Sequence, residues 1–492
     1  MTVGETLRRR LQSWLVTGSK TQQLLATLIL CLLVGIAGGG LFAFLGPILA
    51  IALLAAIVGG LLMLRSTQLT FFAIIGVICL LPFAALPVPN IGFSPTLLDL
   101  VLLVLLVNWL FQIALKKQKQ MTGSALALPI VLFMVLACAS FIIGLSFAPL
   151  TTNLLRHFVE LLLSIFLFFV VINTVRSQKQ LEQIITVLIL AGFAASVIGI
   201  VLYFLPQEWT IRLLSTLRIL RYPSGSDVLR FVEDNPELPL RATSTSIDPN
   251  VLGGLLVIVA GVTVPQLLAH DPLPLFGRWL RWRGVNWLIA PILAAMLICL
   301  LLTFSRGAMA GLGVALFIVA LLRYRKLLVF ILLASLLILL LPQTQWYVQR
   351  FLAGLRGEDL ATQMRFGEYK DALILISRYP WFGVGFAGAP DVDTYIGVSC
   401  VYLLIAEEMG LIGLGMFLFI MALVISQILR ALKKLADYPR LESMLLGLFT
   451  ALVGALFTGI FDHYFFNINF QHAVTLFWLC VGLSIAATLL PD

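Results

Sequence analysis

The stretch 287–322, WLIAPILAAMLICLLLTFSRGAMAGLGVALFIVALL, places one arginine, Arg306, between two apolar runs. Each run approaches the roughly 20 residues that a helix needs to cross the hydrocarbon core of a bilayer. Such runs are too long for the strands of a membrane barrel, so the stretch predicts two transmembrane helices joined by a tight turn. Arg306 then lies at the end of a span, where a charge needs a specific reason.

The rest of the 492-residue chain repeats this pattern of apolar runs. The composition is 61% hydrophobic and only 11% charged, which is far outside the range of soluble globular proteins. The sequence therefore predicts an all-α polytopic membrane protein that forms a single integral membrane domain over residues 1–492. We predict fourteen spans, at approximately 22–44, 46–64, 69–88, 97–115, 125–147, 157–174, 181–205, 250–269, 286–304, 306–322, 327–342, 399–428, 441–460 and 473–490.

The distribution of Lys and Arg predicts the orientation of these spans. Alternate short connections are basic, among them KKQKQ at 116, RYRK at 323 and RALKKLADYPR at 430. The short connections between them, such as PVPNIGFSP and PLTTNLL, carry neither Lys nor Arg. The positive-inside rule makes the basic connections cytoplasmic, which predicts that both termini are cytoplasmic.

Two long connections then fall on the outer face, 206–249 and 343–398, and both are rich in arginine. Ordered loops of this length are usually functional. We expect amphipathic helices within them and an anionic partner on the outer side of the membrane.

Several classes of function find no support in the sequence. The net charge of +9 does not indicate nucleic-acid binding, because the basic residues lie in short clusters between apolar runs. The six cysteines lack the spacing of a disulfide framework or a zinc site. Nucleotide-binding loops and the common hydrolase motifs are also missing. We therefore expect no nucleic-acid partner, no metal and no cofactor.

Polar residues accumulate at the outer ends of two predicted spans. The tetrad SRGA contains Ser305 and Arg306, and the segment RATSTSIDPN contains Arg241, Asp248 and Asn250. Two simpler interpretations stay open here. Arg306 could extend to the lipid headgroups, and Asp248 is a good N-cap for the helix that follows.

The second long connection contains QWYVQRFLAGLRGEDLATQMRFGEYKDALILISRYPWFGVGFAG, which predicts a pair of amphipathic helices lying on the membrane. Arg365 is its most promising ligand-binding residue, although a surface pair between Arg365 and Glu368 is an alternative. The predicted apolar stripe consists of Phe366, Tyr369, Leu373 and Ile376.

Three further titratable residues are candidates for proton transfer. Glu407 and Glu408 lie within a predicted span, and we expect only one of them to face the interior because neighbouring helical residues point about 100° apart. The glycines at 410, 413 and 415 suit tight helix packing. His463 lies in the outer connection FDHYFFNINFQH, where it is either a base or an interfacial polar residue.

Four short motifs, taken in order, resemble the O-antigen ligase and polymerase family. They are R-x-T-S-T-S-x-D-P-N, T-x-S-R-G-A, R-x-x-E-Y-x-x-A-L-x-x-I-x-x-x-P-W-x-G-V-G and Y-L-L-I-A-E-x-x-G-L-I-G-L. Members of this family transfer a glycan from a polyprenyl diphosphate carrier to an acceptor hydroxyl on the outer side of the bacterial inner membrane. The resemblance implies a metal-independent, multi-pass inner-membrane glycosyltransferase with its site facing the periplasm. Its partners would be a polyprenyl-diphosphate-linked glycan, a glycan or lipid acceptor, and the lipid bilayer.

The resemblance also implies roles for individual residues. Family arginines hold the diphosphate, which assigns that role here to Arg306, Arg241 and Arg365. Glu407, Glu408 or His463 would then activate the acceptor. The residues expected to contact substrate are Ser305, Asp248, Asn250 and Tyr402.

Ser399 is the main departure from the family pattern. Ligases carry a histidine three residues before the YLL motif, and this position is Ser399 here. A serine cannot act as a general base near neutral pH, so the sequence favours a polymerase over a ligase. The alternative function is transport of a small anion such as bicarbonate, which an outer arginine cluster would also attract.

Overall fold

The computed structural model describes residues 19–86, 94–115, 122–269, 271, 273, 288–388 and 397–490. Within these ranges the chain is mainly helical, and its β pairing consists of the isolated bridges Ala85 to Thr96 and Phe231 to Leu240. The chain falls into two compact units that divide after Ser66. A single membrane domain over residues 1–492 stays a prediction.

The first unit contains one long helix, α1 (Lys20–Arg65). Its 46 residues comprise two helical segments that meet at a kink. The helix is interrupted at Gly46, whose φ of 74° and ψ of 163° are not helical. Gly46 is the first residue of the predicted span 46–64, so the interruption lies at the predicted boundary with the span 22–44.

The second unit holds the remaining helices. They are α2 (Thr67–Leu80), α3 (Leu97–Ala114), α4 (Ala127–Gly144), α5 (Thr152–Thr174), α6 (Gln178–Phe204), α7 (Gln207–Ser215), α8 (Pro249–Leu268), α9 (Ile289–Leu302), α10 (Arg306–Leu322), α11 (Arg325–Leu340), α12 (Gln345–Arg356), α13 (Leu360–Arg378), α14 (Val401–Lys434), α15 (Pro439–Thr458) and α16 (Gln471–Leu489).

Within the described ranges, 9 helices are long and apolar enough to cross a membrane. They are α1, α3, α4, α5, α6, α8, α14, α15 and α16. Three shorter apolar helices, α2, α9 and α10, coincide with further predicted spans. The all-helical, multi-pass architecture is confirmed, whereas the count of fourteen and the cytoplasmic termini stay predictions.

Helices α8 and α16 form the centre of the second unit, since 89% of the apolar window of each is buried. Close approach of α8 to α15 depends on glycine. A Cβ atom at Gly261 would lie 3.0 Å from the backbone of Ala451, and one at Gly447 would lie 2.6 Å from the carbonyl oxygen of Val262. Small residues at such crossings let two backbones pack directly. This packing holds the C-terminal half of α8 directly against α15.

The two long connections carry their own helices. The first loop, residues 206–249, contains α7 and three short 3-10 turns, Thr216–Leu220, Gly225–Val228 and Val232–Asp234. The second loop, residues 343–398, contains α12 and α13, which confirms the predicted helix pair.

The predicted apolar stripe of α13 is partly wrong, because Phe366 and Leu373 turn away from the protein whereas the Tyr369 hydroxyl contacts the carbonyl oxygens of Ser399 and Ile460. Phe366 and Leu373 are each 57% exposed, whereas Ala372 and Leu375 are buried. The polar residues Arg365 and Glu368 face other parts of the chain, as described below. This arrangement suits a helix whose apolar side lies against a membrane.

Helix α14 is broken at Gly410, which has a φ of 70° and a ψ of −177°. Residues 380–386, here called the strap, fill the break. Val384 N donates to the Glu407 carbonyl oxygen at 2.7 Å, and Leu411 N donates to the Pro380 carbonyl oxygen at 2.7 Å. The strap thus satisfies backbone groups that the break removes from the helical ladder, as a membrane-spanning segment requires.

The expected role of the glycines in α14 is therefore partly wrong. Gly410 interrupts the helix rather than serving as a packing site within it, because a Cβ there would lie 2.2 Å from the backbone of Trp381 in the strap. A Cβ at Gly413 would meet the side chain of Met409, on its own helix, at 2.3 Å. A Cβ at Gly415 would have nothing within 4 Å.

Candidate functional site

Arg306 begins α10, and its side chain crosses to the second loop. Phe304 adopts a φ of 53°, which turns the chain sharply between α9 and α10. The Arg306 guanidinium donates from Nη1 to the Arg350 carbonyl oxygen at 3.0 Å and from Nη2 to Asp359 Oδ2 at 2.6 Å. Arg306 is therefore held by protein groups, in contrast to an arginine that extends to the headgroups.

Asp359 is a buried partner for Arg306. Burial by itself would raise the pKa of this carboxyl, but hydrogen bonds from Arg306 and Thr362 outweigh that effect and hold the pKa below its usual value. Thr362 Oγ1 donates to the second oxygen, Asp359 Oδ1, at 2.6 Å. The pair is ionised at neutral pH, so an anionic ligand at Arg306 must compete with Asp359 or join it.

Arg241 precedes α8 and is held at two points. Its Nε donates to the Thr303 carbonyl oxygen at 2.8 Å, and its Nη2 donates to Asn250 Oδ1 at 2.7 Å. Burial lowers the pKa of Arg241 to about 10, with a further contribution from Arg350 and an opposing one from Asp248. The guanidinium remains charged at neutral pH.

Asp248 caps helix α8, as predicted. Its Oδ1 accepts from Asn250 N at 2.7 Å and from Val251 N at 3.2 Å. Ser244, one of the hydroxyl residues before it, is buried and donates to the Ala195 carbonyl oxygen at 2.8 Å. Asp248 and Asn250 thus fix the position of Arg241, and direct contact of either residue with substrate stays a prediction.

Arg350 of α12 was not singled out from the sequence. Its Nη2 lies 3.5 Å from Glu233 Oε1 in the first loop, and its guanidinium carbon lies 5.4 Å from the centre of the Trp346 ring. Burial lowers the pKa of Arg350, with Glu233 opposing that effect. The sequence signal was the WYVQR segment, in which an aromatic residue precedes the arginine by one helical turn.

Arg365 faces the connection between α15 and α16. Its Nη2 lies 4.0 Å from Asp462 Oδ2, so the alternative of a surface partnership with Glu368 is not needed. Burial raises the pKa of Asp462, and the charges of His463 and Arg365 oppose this shift. Next to Asp462, the buried Tyr464 hydroxyl has no hydrogen-bond partner among the described residues.

These charged side chains form one neighbourhood, that is, they lie close to one another although they come from five separate segments of the chain. The electrostatic fields of Asp248, Arg350, Asp462 and Arg365 all act on the Arg241 guanidinium. Arg306 joins the group through Arg350, whose backbone it contacts. The structure therefore brings together the three predicted diphosphate-binding arginines and adds Arg350.

Glu407 and Glu408 lie one turn before the break in α14. Both are buried, with 1% and 5% of their surface exposed, so the expectation that only one faces the interior is wrong. The strap covers the side of α14 that would otherwise be open. Both carboxyl oxygens of Glu407 are buried without a hydrogen-bond partner among the described residues.

The remaining predicted residues lie at the edges of this neighbourhood. His463 is half-buried and its ring lies 5.6 Å from that of Phe470, while its Nδ1 has no hydrogen-bond partner in the described part of the chain. Tyr402 donates from its hydroxyl to the Leu456 carbonyl oxygen at 2.7 Å, which joins α14 to α15. Ser305 is buried against Gly253 of α8. Catalytic or substrate-binding roles for these residues stay predictions.

A second charged cluster joins α3, α5 and the connection before α16. Arg156 Nη1 donates to Asp99 Oδ2 at 3.1 Å and to Glu160 Oε1 at 3.0 Å. His157 Nδ1 lies 3.0 Å from the Ile468 carbonyl oxygen. Sequence reasoning missed this cluster, although the spacing of Arg156 and Glu160 on one helix face was a signal. It supports the segment that carries Asp462 and His463.

No group of three or more His, Cys, Asp or Glu side chains suited to a metal ion occurs among the residues that the structure describes. Asp359, Glu233 and Asp462 face arginines instead, and Asp248 accepts from backbone N–H groups. We therefore assign no metal ligands and derive no chemistry from a metal.

A large apolar cavity adjoins the arginines. Its volume is about 650 Å³, within the usual range for sites that hold small molecules. Arg306 and Arg350 are both part of its wall. The other lining residues are Leu301, Phe304, Met309, Ala310, Ser335, Ile338, Leu339, Thr344, Val348, Phe351 and Leu352.

Comparison with known proteins agrees with the motifs. Residues 291–418 match the profile of the O-antigen ligase family, which confirms the resemblance to O-antigen ligases and polymerases. The matched segment includes Arg306, Arg350 and Arg365, whereas Arg241 and Asp462 lie outside it. No curated protein matches the chain.

Proposed function

Because residues 291–418 match the O-antigen ligase family, we propose that this multi-pass membrane protein transfers a glycan from a polyprenyl diphosphate carrier to an acceptor hydroxyl. We place the reaction on the outer side of the bacterial inner membrane, in accordance with the predicted orientation. Arg306, Arg241 and Arg365 hold the diphosphate, with Arg350 as a fourth cation.

The observation that carries this proposal is the cavity shared by Arg306 and Arg350. A polyprenyl diphosphate combines a long apolar chain with a compact, multiply charged anion. The cavity offers an apolar wall and two guanidinium groups. Leu301, Ile338 and Leu339 of that wall lie on apolar helices and are exposed, and we propose that the lipid chain enters between these helices.

The chemistry requires stabilisation of a leaving group. As the bond between the anomeric carbon and the diphosphate breaks, negative charge accumulates on the diphosphate oxygens. Guanidinium groups bind such oxygens with paired hydrogen bonds. One unit-charge contact at about 4 Å is worth about 4 kcal/mol at an effective dielectric near 20. Two or three preorganised arginines thus lower the barrier substantially.

A diphosphate can replace the carboxylate partners of the arginines. In the structure each of three arginines faces a carboxylate; the pairs are Arg306 with Asp359, Arg350 with Glu233, and Arg365 with Asp462. These partners neutralise the arginines when no substrate is bound. A diphosphate carries more charge than a single carboxylate and therefore competes effectively for the same guanidinium groups.

We favour a polymerase over a ligase because Ser399 replaces the ligase histidine. The Ser399 N–H donates to Glu368 Oε2 at 2.9 Å, and the Ser399 carbonyl oxygen lies 3.2 Å from the Tyr369 hydroxyl. Ser399 thus supports the loop through its backbone. The family match gives no support to the alternative of anion transport.

Reconstitution of the purified chain in liposomes tests the proposal. With a polyprenyl-diphosphate-linked oligosaccharide as the sole glycan, a polymerase is expected to release one polyprenyl diphosphate for each new glycosidic bond and to double the lipid-linked glycan. Transfer only to a different acceptor lipid would indicate a ligase instead. Absence of transfer, together with bicarbonate flux in the same liposomes, would overturn the enzymatic function.

Filling the cavity is expected to weaken binding of the lipid carrier. The change Ala310→Trp places a large ring among the lining residues and so reduces the space for the lipid chain. We expect the KM for a long-chain polyprenyl diphosphate substrate to rise about tenfold, which corresponds to about 1.4 kcal/mol. Transfer assays over a range of substrate concentrations measure this change.

Leu333→Trp provides the matched control, because Leu333 is 55% exposed on α11 and does not line the cavity. Its KM should match that of the wild type. A short-chain analogue of the carrier should show little difference between Ala310→Trp and wild type. If Ala310→Trp and wild type have equal KM values for the long-chain substrate, this cavity is not the site that binds the chain.

A further inference from the structure

The Glu368 side chain lies beside Ser399, and Ser399 is the position at which the family pattern leads us to expect a histidine. It lies on α13, and its Oε2 accepts from Ser399 N at 2.9 Å. The neighbouring Tyr369 hydroxyl lies 3.2 Å from the Ser399 carbonyl oxygen and 3.0 Å from the Ile460 carbonyl oxygen. These contacts fix α13 to the start of α14 and to the end of α15, so the Glu368 carboxylate has a defined position.

The same face of α13 carries an arginine of the proposed diphosphate site. Arg365 precedes Glu368 by three residues, and side chains with this spacing are neighbours, with Cβ atoms about 5–6 Å apart. Arg365 Nη2 also lies 4.0 Å from Asp462 Oδ2, so this carboxylate belongs to the same region. A cation for the leaving group and a carboxylate thus lie about one helical turn apart.

Glu368 is also more accessible than Glu407 and Glu408, the carboxylates of α14. Glu407 and Glu408 are 1% and 5% exposed, below the strap, whereas Glu368 is only half-buried. An acceptor sugar can therefore approach Glu368 without movement of the strap. One of its oxygens accepts from the Ser399 N–H, and the other makes no hydrogen bond within the described residues, so it can receive a proton.

We infer that Glu368 is the general base that deprotonates the acceptor hydroxyl, in place of the histidine absent at Ser399. This inference rests on the proposed glycosyl transfer. In the step, the acceptor oxygen forms a bond to the anomeric carbon while the bond from that carbon to the diphosphate oxygen breaks. The bonding electron pair leaves with the diphosphate, and the hydroxyl proton moves to Glu368.

The change Glu368→Gln tests the inference in the full-length reconstituted protein. The amide keeps the shape of the side chain and an oxygen for the Ser399 N–H, but it cannot take up a proton. We expect kcat for transfer to a hydroxyl acceptor to fall between about a hundredfold and ten-thousandfold, the usual contribution of a general base. Glu358→Gln, at an exposed glutamate of the same loop, should transfer glycan at the wild-type rate.

Azide provides the discriminating acceptor, because it attacks the anomeric carbon without losing a proton. The rate of glycosyl azide formation by Glu368→Gln should stay within about threefold of the wild-type rate, because this reaction needs no general base. Equal losses with azide and with the hydroxyl acceptor would show a purely structural role and overturn the inference. Transfer to the hydroxyl acceptor at the wild-type rate by Glu368→Gln would also overturn the inference. A wild-type protein that transfers to neither acceptor would instead remove the proposed function itself, and the base with it.

Discussion

Replacement of Arg306 by alanine is expected to lower kcat/KM for glycan transfer about a thousandfold. This factor corresponds to about 4 kcal/mol, the estimated value of one guanidinium contact to the diphosphate. Arg306→Lys should recover only part of the activity, because an ammonium retains the charge but loses the planar pair of donors. The measurement is the rate of polyprenyl diphosphate release by protein that remains folded in detergent.

The variant Asp359→Asn distinguishes loss of the diphosphate contact from destabilisation of the second loop. Arg306→Ala also leaves the buried Asp359 without its cation, which by itself destabilises the second loop. Asp359→Asn breaks the same ion pair but keeps Arg306 available for the diphosphate. We expect this variant to retain transfer within about tenfold of wild type, a loss of about 1.4 kcal/mol or less. If both variants lose activity equally, Arg306 acts through the loop and does not bind the leaving group.

Gly410→Ala is expected to prevent stable folding of the second unit. The φ of 70° and ψ of −177° at this position belong to a region that is essentially restricted to glycine, with a cost of about 1–3 kcal/mol for other residues. The new methyl group would also lie 2.2 Å from the Trp381 backbone, which cannot move without breaking the hydrogen bonds of the strap. We expect a total loss above about 4 kcal/mol, in the range where single substitutions abolish folding.

Gly415→Ala, on the same helix, is the matched control. A Cβ there would meet nothing within 4 Å, and alanine has a higher helix propensity than glycine. The thermal unfolding midpoint of Gly415→Ala should equal or exceed that of wild type, whereas Gly410→Ala should yield little monodisperse protein. A stable, active Gly410→Ala variant would show that the break in α14 is not required.

The positions of the helices could be predicted from local hydrophobicity. Most predicted spans coincide with helices in the described ranges, because a run of apolar residues has to form internal hydrogen bonds wherever it enters lipid. Shorter helices such as α2 end before the predicted boundary, at Leu80 instead of residue 88. Hydropathy measures the polarity of a segment and does not show where its helical hydrogen bonds end.

Residue type and position in the sequence identified Arg241 and Arg306, because arginine at the outer end of an apolar span opposes the usual charge bias, whereas Arg365 was selected from its place in a long outer loop and from the family motif. Arg350 could not be selected in the same way. It lies in an amphipathic helix, Gln345–Arg356, that contains a second arginine, Arg356, and hydropathy alone does not distinguish the two. Its contact with Glu233 and its place in the cavity wall follow only from the packing of the second loop against the first.

By itself, the sequence determined the helical membrane architecture, the two long loops and the arginines that make an anion site plausible, since each of these depends on the composition of a single segment. Only the tertiary structure decided how the segments combine. Arg306 and Asp359 are separated by 53 residues, and Ser140 and the strap residue Phe382 by 242, yet each pair is hydrogen-bonded. Such contacts depend on the docking of whole helices, which places Glu368 beside Ser399 and allows the strap to enter the break at Gly410.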